Sequence, residues 1–64
     1  MTKNTIIEKV LYSLLQQRKD LSYELGNLNH NESSFIERRN TLEIAINNID
    51  MQIDKRIMEL ETNQ

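Results

Sequence analysis

The residues whose types could do chemistry are few. His30 is the one histidine, and there is no cysteine to stand beside it. A zinc-type site therefore lacks its nitrogen and sulfur donors, and His30 reads as a solvated turn residue. The carboxylates Glu37, Glu43, Asp50, Asp54 and Glu61 are spread among basic neighbours, the pattern of a solvated helix face. Paired carboxylates become an acid and a base only inside a cleft that shifts one against the other, and two helices do not enclose one. No phosphate-binding loop, dinucleotide fingerprint or nucleophile elbow occurs. Asn31-Glu32-Ser33 matches a glycosylation acceptor, but no secretory signal accompanies it. The expectation is a chain without catalytic residues, metal or cofactor.

Composition narrows the class further. With 64 residues the chain makes one small domain, and chains of this size bury a core worth only about 3–5 kcal/mol without extra support. No disulfide is possible, which fits a reducing compartment, and cytoplasm is the expected location. No apolar run approaches the roughly 20 residues of a membrane span, so no membrane insertion is expected. Eight basic and ten acidic residues give a net charge of -2. The basic residues are interspersed with acids, so the stripe that nucleic acid would require is absent.

What must position any functional surface is a pair of apolar stripes. Ile7, Leu11, Leu14, Leu21, Leu25 and Leu28 follow an alternating four-three spacing, and Phe35, Leu42, Ile46, Ile49, Ile53 and Leu60 resume it. That is the seam of a coiled coil. Folding the chain near His30 sets Leu28 opposite Phe35, Leu21 opposite Leu42, Leu14 opposite Ile49 and Leu11 opposite Ile53. The predicted fold is all-α, a two-helix antiparallel coiled-coil hairpin. It has a helix at about 4–28, a turn at about 29–33 and a helix at about 34–61.

The first helix is expected to start at Asn4 or Thr5, with Glu8 near the positive end of the dipole. Gly26 either closes it in a left-handed cap or sits inside a helix that continues to Asn29. Ser34 and Glu37 have capping-box spacing, and Thr62, Asn63 and Gln64 are expected to fray. Arg18 should lie over Ile46 and Arg39 over Leu25, each covering the seam with its aliphatic stem. Glu24 and Arg38 share a flank on which they can pair.

A second stripe has no place inside such a hairpin. Ile44, Met51 and Met58 are seven residues apart and point away from the seam, and methionine adapts to irregular partner surfaces. Tyr12 and Tyr23 share an outer face of the first helix, and amphipathic aromatics are frequent binding anchors. These five are the candidate partner-binding residues.

Leu42-Glu43-Ile44-Ala45-Ile46-Asn47-Asn48-Ile49 resembles the L-E-x-A-I-x-x-I segment of the small E-component co-chaperones of bacterial type III secretion needles. Arg18-Lys19-Asp20-Leu21 is similar to the end of that family's first helix, and a glycine-bearing break follows it. The resemblance covers roughly residues 10 to 55. The turn here is longer and lacks the aromatic pair expected after it. The resemblance implies a cytoplasmic, non-catalytic hairpin that binds a tetratricopeptide-like (TPR-like) chaperone. Together the two would hold the needle subunit soluble and unpolymerised in a heterotrimer, with homo-oligomers an option for the chain alone. The alternative is a homodimeric helical-hairpin regulator or RNA-binding four-helix bundle, which the balance of charge disfavours.

Overall fold

Thr2 opens the first helix, α1 (Lys3–Gly26). Its hydroxyl oxygen accepts from the Thr5 amide at 3.2 Å, and its carbonyl accepts from the Ile6 amide at 3.3 Å. The start therefore lies earlier than Asn4 or Thr5, because Thr2 already supplies an acceptor for the free amides of the first turn. No acidic residue occupies that turn, so Glu8 does not complement the dipole at its very end.

α1 does end at Gly26, but without the left-handed cap, and it does not continue to Asn29. No glycine has positive φ among the described residues. Asn27 ends it instead, with φ -104 and ψ 9, its backbone N–H directed to the Glu24 and Leu25 carbonyls. The Asn27 side-chain amide also donates to the Tyr23 carbonyl at 2.8 Å. Orphan carbonyls of the last turn are thus satisfied by one asparagine, which removes the need for the glycine cap.

The connection spans residues 27–34, wider than the expected 29–33. Asn29 organises it: its side-chain oxygen accepts from the Asn31 amide at 3.0 Å, and its carbonyl accepts from the Glu32 amide at 3.1 Å. This is the local competition for backbone partners that makes asparagine a turn residue. The second helix, α2 (Phe35–Thr62), begins one residue beyond Ser34. The Ser34 carbonyl accepts from the Arg38 amide at 3.0 Å. Among the described residues Ser34 and Glu37 do not exchange the side-chain bonds of a capping box.

The computed structural model describes residues 2–62, and these form an all-α antiparallel hairpin with extents of 49 × 15 × 11 Å. Thr62 is the last helical residue instead of a frayed one, while the fraying expected at Asn63 and Gln64 lies outside the described residues. Every position of the two seam stripes, from Ile7 to Leu28 and from Phe35 to Leu60, is buried or half-buried. The centre is Leu14 with Ile49 and Ile53, against which Leu11 and Leu21 pack. Ile7 is buried nearer the open end. Even so, no described side chain is fully enclosed. One layer of contact between two helices always leaves an open side.

Two substitutions test this account by urea unfolding followed by circular dichroism. A Cβ at Gly26 would meet nothing within 4 Å, and the backbone there is ordinary, so Gly26→Ala should stabilise the chain by about 0.4–1 kcal/mol. A left-handed cap would make the same change destabilising. Leu14→Ala should cost about 2–5 kcal/mol, comparable to the whole stability available to so small a core.

Candidate interaction surface

The seam determines which side chains are left outside. On α2 the residues facing away from α1 include Ile44, Met51 and Met58, which are 62%, 70% and 65% exposed. A seven-residue step on a helix advances about 10 Å along the axis and returns to nearly the same face, so the three make one line on a rigid rod. Ile36 is also 62% exposed, but it stands about 80° round the helix from Ile44, beside the line and not on it. The sequence reading missed it because it precedes Ile44 by eight residues instead of seven.

The line is interleaved with polar residues. Asn40, Asn47, Asn48, Asp54, Lys55 and Glu61 are all exposed on α2. Their projection puts them beside or between the apolar members, so the stripe is narrow and its borders carry amides and charges of both signs. A binding face of this kind suits another helix, whose own side chains can fill the gaps along a straight groove.

Tyr23 is the most exposed of the expected anchors at 75%, and Tyr12 is 66% exposed. They stand on the outer face of α1. Both outer faces look away from the shared seam, so the tyrosines and the α2 line lie on opposite sides of the hairpin. The structure thus gathers Ile44, Met51 and Met58 into one surface and does not join Tyr12 and Tyr23 to it. A helix docked on one side leaves the other free. Further exposed apolar residues, Ile6, Val10, Leu15 and Ile57, border the seam. Ile6 and Val10 are one turn apart on α1 and would have been found by a search for i, i+4 pairs off the seam.

The guanidinium groups of the arginines expected beside the seam have specific partners. Arg18 does cross to α2, but its Nε donates to the Asp50 carboxylate, one turn beyond Ile46. Both side chains remain nearly half exposed, so the pair contributes about 0–1 kcal/mol and acts mainly on register. Arg38 does not reach Glu24. Its guanidinium donates to Glu32 at 3.2 Å, because the wide turn brings Glu32 back over the start of α2. Glu24 and Arg38 instead border a shallow hollow of about 140 Å³ with Leu28, Thr41 and Leu42, well below the roughly 300–1,000 Å³ of ordinary ligand pockets.

Arg39 stays on its own helix, 4.0 Å from the Glu43 carboxylate and with its guanidinium carbon 5.8 Å from the centre of the Phe35 ring. His30 also packs on Phe35, ring centres 4.4 Å apart. The histidine is exposed as expected, yet it closes the end of the seam.

Comparison with protein-family models, with curated proteins and with solved structures gives no match.

The separation of seam from outer line leads to a direct test. Met51→Asp with Met58→Asp should preserve the circular dichroism spectrum while lowering affinity for a partner docked on α2 by at least about tenfold, given about 1.5–3 kcal/mol per buried side chain. Ile49→Asp, one turn round on the seam, should abolish the helical signal. Undiminished partner binding by the double variant would move the interface to Tyr12 and Tyr23.

Proposed function

We propose that this chain is a non-catalytic protein-binding hairpin that stabilises a helical partner, and that it serves as the co-chaperone of a type III secretion needle. The observation that carries the general reading is the exposed line Ile44, Met51 and Met58 on the rigid outer face of α2. The assignment to secretion rests on the resemblance of residues 42–49 and 18–21 to the E-component family. In this reading the chain is cytoplasmic. It binds a TPR-like chaperone, and the pair sequesters the needle subunit before export.

The mechanism is physical. A needle subunit exposes an amphipathic helix that packs against its own copies, and a chaperone groove can bury that helix instead. The hairpin would act on the groove-bearing protein by mass action, since a ligand that binds only the folded form drains the unfolded and aggregating states. Such an effect requires a rigid complementary surface and no reactive group. Among the described residues no helix is long and apolar enough to cross a membrane, and the proposed complex needs none.

Co-expression tests the proposal. With a TPR-like chaperone and a needle subunit, this chain should yield a soluble three-part complex, and omitting it should lower the chaperone's solubility. When the free hairpin is at 100 times its dissociation constant, the partner gains about 2.7 kcal/mol. The complex should survive moderate salt because its contacts are apolar. Recovery of the chain with RNA, and loss of that complex as salt rises, would replace this reading with the RNA-binding four-helix bundle.

A further inference from the structure

The seam contains no sulfur and the outer line does, and we propose that Met51 and Met58 are sites of oxidation by peroxides, which turns the α2 line polar while the hairpin stays folded. The change in the line needs no partner. Its effect on binding rests on the proposal that a partner docks there.

Composition confines the reaction. The chain has no cysteine and no tryptophan, so no thiol or indole competes for the oxidant. Among the described residues the only sulfur atoms belong to Met51 and Met58, which are 70% and 65% exposed. The seam stripes are built from leucine, isoleucine and one phenylalanine, side chains without a thioether. Oxidation of a core methionine disrupts packing because a polar oxygen enters an apolar interior. Here both side chains already stand in water, so the new oxygen is hydrated and the seam is untouched.

The step is a two-electron transfer of oxygen. The sulfur lone pair takes one oxygen of hydrogen peroxide as the O–O bond breaks, and the proton on that oxygen passes to the departing hydroxide, which leaves as water. Sulfur is oxidised to the sulfoxide and the peroxide is reduced. A thiol-dependent methionine sulfoxide reductase reverses the change: two thiols become a disulfide and the oxygen leaves as water. Each sulfoxide adds a strong acceptor without a donor. Two of the three members of the line carry it, and only Ile44 remains apolar. Against an apolar partner surface those oxygens would be buried without donors, which weakens binding.

Hydrogen peroxide added to the purified full chain tests this. Trypsin cleaves after Lys55 and Arg56, so Met51 and Met58 fall in separate peptides. Each should gain one oxygen at a rate close to that of free methionine in the same tube. The circular dichroism spectrum and the urea midpoint should not change. Retention on a phenyl column under native conditions should fall, and a sulfoxide reductase with a dithiol should restore it. In the double variant Met51→Leu with Met58→Leu, peroxide should leave retention unaltered although Met1 is still present.

With the TPR-like chaperone as probe, oxidation should weaken binding of the natural chain at least about tenfold. Binding by the double leucine variant should not respond to peroxide. Slow oxidation of both methionines relative to free methionine, loss of the helical signal, or unaltered retention would overturn the proposal. Equal chaperone binding before and after oxidation would overturn the effect on docking and leave the co-chaperone reading standing. If the untreated chain binds no such chaperone, the co-chaperone reading fails instead, and the peptide, spectrum and column results still decide the oxidation proposal.

Discussion

One apolar seam between two helices carries the stability of the molecule. Neither helix is strongly supported by its own ends. α1 has no acidic residue in its first turn and no basic residue in its last, and α2 lacks a basic residue in its last turn. The dipole is therefore complemented only by Glu37 at the start of α2. Helices of ordinary composition are marginal in water when isolated, so the helical state is sustained by burial along the contact. Thr2, Asn27 and Asn29 decide where the helices begin and end. They do not provide the free energy that keeps them paired.

Dependence on a single layer has a geometric consequence. Two rods touching along one line bury a stripe on each and leave most of each circumference in water. Leu14, Ile49 and Ile53 accordingly form a centre without any fully enclosed side chain. The polar groups beside the seam select alignment. Arg18 bonds to Asp50 across the helices, and a slip by one turn would separate them. His30 and Arg39 converge on Phe35, closing the turn end with a small aromatic and cationic stack. Such half-exposed contacts add little energy each, but they penalise wrong registers that the apolar stripe alone would tolerate.

The parts of this fold legible in the sequence are those governed by periodicity. Each seam residue from Ile7 to Leu60 has reduced exposure because a four-three spacing admits one facing stripe per helix. The line Ile44, Met51 and Met58 was legible for the same reason. The ends were less so. Thr2, Asn4 and Thr5 can all cap a helix, and which one does depends on where the seam ends. Gly26 suggested a left-handed cap, yet Asn27 uses both its backbone and its side chain to satisfy the same carbonyls. Arg38 met Glu32 instead of Glu24 because its partner is set by the path of an irregular turn, for which no period exists. The separation of Tyr12 and Tyr23 from the α2 line follows only once the seam direction of both helices is combined. The identity of a partner is less legible still, since a hairpin scaffold is common to many functions.

The outer line raises a question of selectivity. A broad apolar patch would favour indiscriminate association, but this one is crossed by Asn40, Asn47, Asn48, Asp54 and Lys55. A flat or irregular surface pressed against it would strand those groups without water or partners, at a cost of about 1–3 kcal/mol for each one buried unsatisfied. A helix can avoid that penalty, because its side chains stand apart at the same intervals and leave the borders hydrated. For any partner docked there, the polar members would act against wrong partners while the apolar members supplied attraction, which is how specificity is obtained from modest contacts. A helix would therefore fit the α2 line better than a flat surface, because only a helix leaves the polar borders hydrated.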